Sequence, residues 1–169
     1  LEEYNVSPNQ IPVGDAQPCD MMDEIICSGA LNCQQRFYDT YAELMQYTCI
    51  TSSSNEVISR YYIAPSYVEN CWNNFSRWAA NADHMYQLAD KIDDDNYRAV
   101  ALTLRAMYMD MLVSTFGYVP FSEAFQIRQG NNKPVFDSPQ DIYSQLIIDL
   151  ETANGLYDTS KNLSNINKD

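Results

Sequence analysis

One stretch near the middle of the chain, residues 94–125, constrains the fold more than any other. Apolar side chains fall on nearly every side of the helix body, from Val100 to Phe116, and a helix of that kind is buried inside a domain. Asp94 stands where an N-cap belongs, because its carboxylate can accept backbone N–H groups of the first turn. Gly117 supplies a left-handed residue at the end of the helix, and Pro120 prevents continuation. The sequence therefore predicts a long interior helix that ends in a shaped turn.

Helical periodicity on both sides of this stretch predicts four further helices, over residues 17–29, 31–50, 66–92 and 138–156. Gly29 is expected to bend or end the first of them. Ser66, with an acidic residue three positions later, is expected to cap the third helix. Ser138 is expected to cap the last helix, with Pro139 in its first turn. A chain with this succession of amphipathic helices belongs to the all-α class.

The segments between the helices carry turn residues and no strong strand pattern. Small polar residues at 51–55 break the second helix, and a tyrosine-rich piece at 59–64 reads as extended. At most a short hairpin is expected within residues 50–64. Residues 1–18 lack periodicity and are interpreted as an extended N-terminal arm, which leaves 19–169 as one helical domain. Its paired long helices predict packing like that of a tetratricopeptide-repeat array, although the strict repeat consensus is not met.

Composition excludes several classes of function. The formal net charge is −13, and the ten basic residues are scattered, so neither nucleic acid nor an anionic membrane surface is an expected partner. No apolar run reaches membrane-spanning length. There is no CxxC pair and one histidine, which removes the usual zinc patterns. Small buried residues are the favoured interpretation of the five cysteines, with one disulfide in the N-terminal group left open: Cys19, Cys27, Cys33, Cys49 and Cys71.

No arrangement of residues predicts catalysis or a cofactor. Three consecutive aspartates at 93–95 resemble the start of a calcium loop, but positions six and twelve hold Arg98 and Leu104 instead of glycine and glutamate. The acidic run is better interpreted as a helix-capping turn. His84 stands alone, and no nucleophile or phosphate-loop motif occurs. Arg105, on the interior helix, is expected to bond carboxylates or carbonyls of neighbouring helices.

Several strings in the chain resemble a known family. The sequence GYVPFSEA at 117–124 follows RAMY at 105–108, and DSPQDIY at 137–143 opens the last helix. The sequence RYY at 60–62 precedes WNN at 72–74. In this order and spacing, the strings resemble those of the SusD/RagB family, the surface glycan-binding lipoproteins of Bacteroidetes.

This resemblance implies a non-catalytic function without a cofactor. Members bind oligosaccharides at the cell surface and deliver them to a TonB-dependent, SusC-like transporter in the outer membrane. The resemblance also implies a lipid anchor on a cysteine upstream of Leu1. Since members are much longer than this chain, it would be the N-terminal portion of such a protein. Two alternatives stay open, namely a helical-repeat scaffold for protein partners and a relative that binds peptides or glycopeptides.

The resemblance also points to site residues, which combine aromatic rings, amides, a carboxylate and a guanidinium. Such groups suit the apolar face and the hydroxyls of a sugar. Carried over from the family, they are Asn55, Glu56, Arg60, Tyr62, Trp72 and Asn73. For Trp72, a place in the core is an equally good interpretation.

Overall fold

The computed structural model describes residues 16–126 and 130–163, so most of the arm predicted for residues 1–18 lies outside the described residues. Four α-helices follow one another along the chain: α1 (Pro18–Arg36), α2 (Pro65–Lys91), α3 (Asp95–Phe116) and α4 (Pro139–Leu156). Two strands of two residues each form a small antiparallel pair, β1 (Val119–Pro120) and β2 (Phe136–Asp137). The predicted all-α class is confirmed.

Helix α3 lies at the centre, because it packs against α2, α4 and α1, while α1 packs mainly against α2. Two side-chain contacts for each helix pair show that α3 runs antiparallel to both neighbours. Arg98–Asp90 and Arg105–Asp83 join it to α2, and Asp110–Tyr143 and Arg105–Asp149 join it to α4. The core combines large side chains of all four helices: Ile25, Phe75, Trp78, Met85, Tyr108, Met109, Leu112, Ile142 and Leu146. By length and composition α3 could cross a membrane, but its place between three helices is that of an interior helix. One strip of α3, at Thr103, Met107 and Asp110, faces solvent, so burial is not complete on every side.

The ends of α3 and α4 follow the predicted capping chemistry. The Asp94 carboxylate accepts the N–H of Tyr97 at 3.1 Å, and Gly117 ends the helix with a φ of 75°. Ser138 Oγ accepts the N–H of Asp141 at 3.2 Å, as expected for the N-cap of α4. The cap predicted for α2 is wrong, because the helix begins one residue earlier, at Pro65, after the N-cap Ala64. Proline presets the helical φ at the first position, so the serine is not needed as a cap.

The expected end of the first helix at Gly29 is also wrong, because α1 continues to Arg36 and then into a π-helical turn at Phe37–Ala42. Gly29 is buried, and a Cβ atom there would overlap the hydroxyl of Tyr108. That hydroxyl donates a hydrogen bond to the carbonyl oxygen of Ile25 at 2.6 Å. The glycine therefore allows α1 and α3 to approach closely instead of breaking the helix.

The short strand pair is not where a hairpin was expected. Residues 50–64 form an irregular loop with one 3₁₀ turn at Ile58–Arg60, and the strand pair instead joins β1 to β2. Asp137 stabilises this pair, since its carboxylate accepts the backbone N–H groups of Phe121 and Ser122, each at 2.8 Å. Tertiary hydrogen bonds of this kind leave no periodicity in the sequence.

Candidate functional site

The loop at residues 51–64 is held in shape by Arg60. Its guanidinium donates to the carbonyl oxygens of Ser54 at 2.9 Å and Ser52 at 3.3 Å, and also to the side-chain oxygen of Asn55. Two serine hydroxyls add bonds to the backbone, because Ser52 Oγ accepts from the N–H of Ser54 at 3.1 Å and Ser54 Oγ from that of Glu56 at 3.0 Å. The predicted site residue Arg60 therefore acts first as the brace of the loop.

The braced loop presents polar and aromatic groups to solvent. Val57 and Ile58 are buried and anchor its middle, whereas Asn55 and Glu56 are exposed. Tyr61 and Tyr62 follow the 3₁₀ turn, with 64% and 44% of their surfaces exposed. The positive φ of Tyr61, 61°, turns the chain at this point. The loop thus displays two phenol rings beside an amide and a carboxylate, a mixture suited to sugar hydroxyls and pyranose faces.

Trp72 lies in a different setting from the loop residues. Its ring meets the edge of Phe116 at 5.1 Å between centroids and stacks on Phe136 at 6.5 Å. The side chain is half-buried and packs against the main core. Asn73, the next residue on α2, is exposed. The structure thus brings Asn55, Glu56, Arg60 and Tyr62 into one loop, while Trp72 joins an aromatic cluster at the end of α3.

The RYY string also offers Tyr61 as an aromatic group for a sugar, and the structure leaves 64% of its surface exposed. One feature was not predicted as part of a site. It is a polar cleft of about 720 Å³ between α2, α3, α4 and the turn at 121–126, which we name the interhelical cleft. Its residues come from four separate segments, so no local pattern marks them. The predicted role of Arg105 is confirmed at the floor of this cleft, where it bonds Asp83 at 2.8 Å and Asp149 at 2.7 Å.

The acidic turn before α3 has a structural explanation. Arg98 lies among three aspartates, with distances of 3.0 Å to Asp90 and 2.8 Å to Asp93 and a close pair with Asp95. Together with the cap by Asp94, these pairs agree with the interpretation of the run as a helix-capping turn. Within residues 16–126 and 130–163, no group of three or more histidine, cysteine, aspartate or glutamate side chains is placed to hold a metal ion. The five cysteines are free, and Cys71 is buried while Cys27 and Cys49 are exposed.

Comparison with known families identifies one match. The family model named SusD-like, with the description "starch-binding associating with outer membrane", matches residues 8–169. The match covers the whole described structure, and it confirms the resemblance inferred from the strings in the sequence. Among curated proteins, none matches this chain.

Proposed function

This chain belongs to the SusD-like family, and on that premise we propose that it binds a glycan at the outer membrane without catalysing a reaction. The observation that carries the proposal is the braced loop at residues 51–64. Arg60 closes the loop on itself through two carbonyl oxygens and the Asn55 amide, so the backbone that carries the exposed Asn55, Glu56 and Tyr62 is braced before any ligand arrives. A preformed site avoids the entropy cost of ordering a loop on binding.

The groups of the loop complement a sugar. The amide nitrogen of Asn55 can donate to a hydroxyl, because its oxygen already accepts from Arg60 and fixes the orientation of the amide. Glu56 offers acceptors to sugar hydroxyls, and the rings of Tyr61 and Tyr62 offer faces for the C–H surface of a pyranose. Trp72 and Asn73, which lie on α2 and follow the loop in the sequence, remain proposed members of the site.

Further parts of the proposal concern the cell surface. We propose that the chain acts as part of a surface-exposed lipoprotein, held by a lipid on a cysteine upstream of Leu1. It would deliver oligosaccharides to a TonB-dependent, SusC-like transporter, with the helices contributing the protein contact and the loop the sugar contact. Residues 19–169 would then be the N-terminal helical portion of a longer domain.

The alternative function is a helical scaffold that binds a protein partner without a glycan. An apolar groove between α3 and α4 favours this alternative, because Met107, Ile147 and Leu150 line it with 40%, 58% and 43% of their surfaces exposed. A patch of that kind is typical of a contact surface. A measurement of glycan binding through the loop would distinguish the two functions, since a protein scaffold is expected to bind no glycan. A relative that binds peptides or glycopeptides would still use the loop, but with a different ligand.

Isothermal titration calorimetry with maltoheptaose, a soluble fragment of starch, tests the proposal. Tyr62→Ala should weaken binding about tenfold, the equivalent of a ring contact worth roughly 1.4 kcal/mol. Tyr47→Ala is the matched control, because Tyr47 is 77% exposed and lies outside the loop. Trp72→Ala is a poorer test, since loss of its contacts with Phe116 would also lower stability. Isotherms unchanged in both affinity and stoichiometry in Tyr62→Ala and Asn55→Ala would remove the loop from the site, and no heat with any glycan tested would contradict the proposed function.

A further inference from the structure

The interhelical cleft has the dimensions and the walls of a ligand site, separate from the braced loop. Its volume of about 720 Å³ lies within the range of roughly 300–1,000 Å³ usual for small-molecule sites. The rings of Phe121 and Phe125 line one wall, and both are half-buried. Amides of Gln87 and Gln145 line the walls formed by α2 and α4. A cleft lined by aromatic rings on one side and amides on the others offers contacts to the apolar surface and to the hydroxyls of a sugar.

A continuous hydrogen-bond network holds the polar floor of the cleft rigid. Arg105 donates to Asp83 and Asp149, and each carboxylate accepts a second bond, from Gln87 Nε2 at 2.8 Å and from Gln145 Nε2 at 3.1 Å. The side chain of Asp149 is only 10% exposed. The five side chains therefore fix one another across three helices, and the two amide groups have defined positions at the walls.

The turn that forms the remaining wall is equally fixed. Burial alone would raise the pKa of Asp137, but hydrogen bonds from the backbone and hydroxyl of Ser122 and from the N–H of Phe121 outweigh it and lower the pKa. The ionised carboxylate therefore holds the 121–122 backbone in place at neutral pH, with the hydroxyl at 2.8 Å. The cleft is preformed on all the sides that the structure describes.

The unused hydrogen-bonding capacity of the cleft defines its ligand. Each glutamine amide has a second N–H beyond the one given to a carboxylate, and each carboxylate has lone pairs beyond those already occupied. Asp83, Asp137, Asp141 and Asp149 supply these lone pairs, whereas Arg105 is the one cationic side chain among the described lining residues, and it is already paired. A ligand that enters must offer hydroxyl donors and weak acceptors and must not carry negative charge.

We propose that the interhelical cleft binds a neutral saccharide and excludes acidic sugars. The ring faces of Phe121 and Phe125 would cover the apolar side of a pyranose, while Gln87, Gln145 and the carboxylates would bind its hydroxyls. This inference rests on the proposed glycan-binding function and adds to it a second site, with a stated preference. An acidic sugar would enter a cleft lined by four carboxylates and one guanidinium that is already paired, and like charges repel.

Nuclear magnetic resonance of the uniformly ¹⁵N-labelled chain can observe both sites in one titration. The side-chain NH₂ signals of Gln87 and Gln145 report on the cleft, and that of Asn55 reports on the loop. Maltoheptaose should shift the two glutamine signals in a saturable manner, whereas trigalacturonic acid at equal concentration should leave them unchanged. Glutamine shifts without a shift of Asn55 would support the cleft and contradict the loop. A shift of Asn55 alone would preserve the proposed function and overturn this inference, as would equal shifts of the glutamines with the acidic sugar.

A blocking variant gives an independent test. Gln145→Trp places a large ring in the cleft and should abolish the maltoheptaose-induced shift of Gln87. Gln140→Trp is the matched control, because it carries the same substitution on α4 at an exposed position outside the cleft, and it should keep that shift. Gln87→Trp, read through Gln145, repeats the test from the opposite wall if Gln145→Trp does not fold. Undiminished glutamine shifts in either blocked variant would overturn the proposal.

Discussion

Two arginines show how differently the helical body and the loop of this protein are held together. Arg105 lies on the central helix, has 18% of its side chain exposed, and joins α2 to α4 through two carboxylates. Arg60 is exposed and joins parts of its own loop, mostly through backbone carbonyl oxygens. The contacts of Arg105 span 22 and 44 residues of sequence, whereas those of Arg60 span six and eight. The guanidinium of Arg105 thus links three helices, whereas that of Arg60 links residues of a single loop.

The difference follows from what remains when each arginine is removed. Without Arg105, Asp83 and Asp149 would stay largely buried with no cation nearby, and buried uncompensated charge is costly. Without Arg60, the freed carbonyl oxygens of Ser52 and Ser54 can bond water, because the loop lies at the surface. Loss of Arg105 should therefore lower the stability of the whole protein, whereas loss of Arg60 should loosen only its own loop.

The largest effect is expected from Arg105→Met. Removal of the cation should lower the free energy of unfolding by about 3 kcal/mol, because two carboxylates lose their partner inside the body. Urea denaturation measures this value, and Arg77→Met, at an exposed position of α2, is the matched control with an expected change of less than about 0.5 kcal/mol. A loss of stability in Arg105→Met no greater than that in the control would remove the distinction between the two arginines.

A smaller global effect is expected from Gly29→Ala. The added methyl group would overlap the hydroxyl of the fully buried Tyr108, and overpacking of this kind costs about 2 kcal/mol. Gly155→Ala is the control, because a Cβ atom there meets no neighbour within 4 Å and alanine favours the helix. Thermal unfolding of both variants should show opposite shifts. Equal shifts would mean that the close approach of α1 to α3 does not need the glycine.

The helical body could be predicted from the sequence further than the loop could. The interior helix, its cap at Asp94 and its stop at Gly117 were predicted correctly because capping and apolar periodicity act between near neighbours. The role of Gly29 could not be predicted, because the glycine makes room for Tyr108, which is 79 positions later in the sequence, and local sequence rules do not include such distant contacts. The pattern predicts a cap at Ser66 because serine commonly caps helices, but Pro65 sets the start of the helix one residue earlier.

The candidate site was predictable to a smaller degree. The family strings led to Asn55, Glu56, Arg60 and Tyr62 in one loop, and they remain the proposed site. The strings did not show that the Arg60 guanidinium donates its hydrogen bonds to the carbonyl oxygens of its own loop, because these contacts depend on the path of the backbone. The interhelical cleft was missed for a related reason, since its glutamines and aspartates become neighbours only when three helices pack.

The smallest effect on global stability is expected from Arg60→Met, and it tests the comparison most directly. The free energy of unfolding should fall by less than about 0.5 kcal/mol, because exposed polar contacts of this kind contribute little. Hydrogen exchange should nevertheless become faster at the amides of Ser54 and Glu56, whose bonds to serine hydroxyls depend on the shape of the loop. Arg105→Met should instead accelerate exchange throughout the helices. If Arg60→Met also lowered the protection of α3, the loop would be a structural part of the body, and an arginine at the surface would be ordering the core.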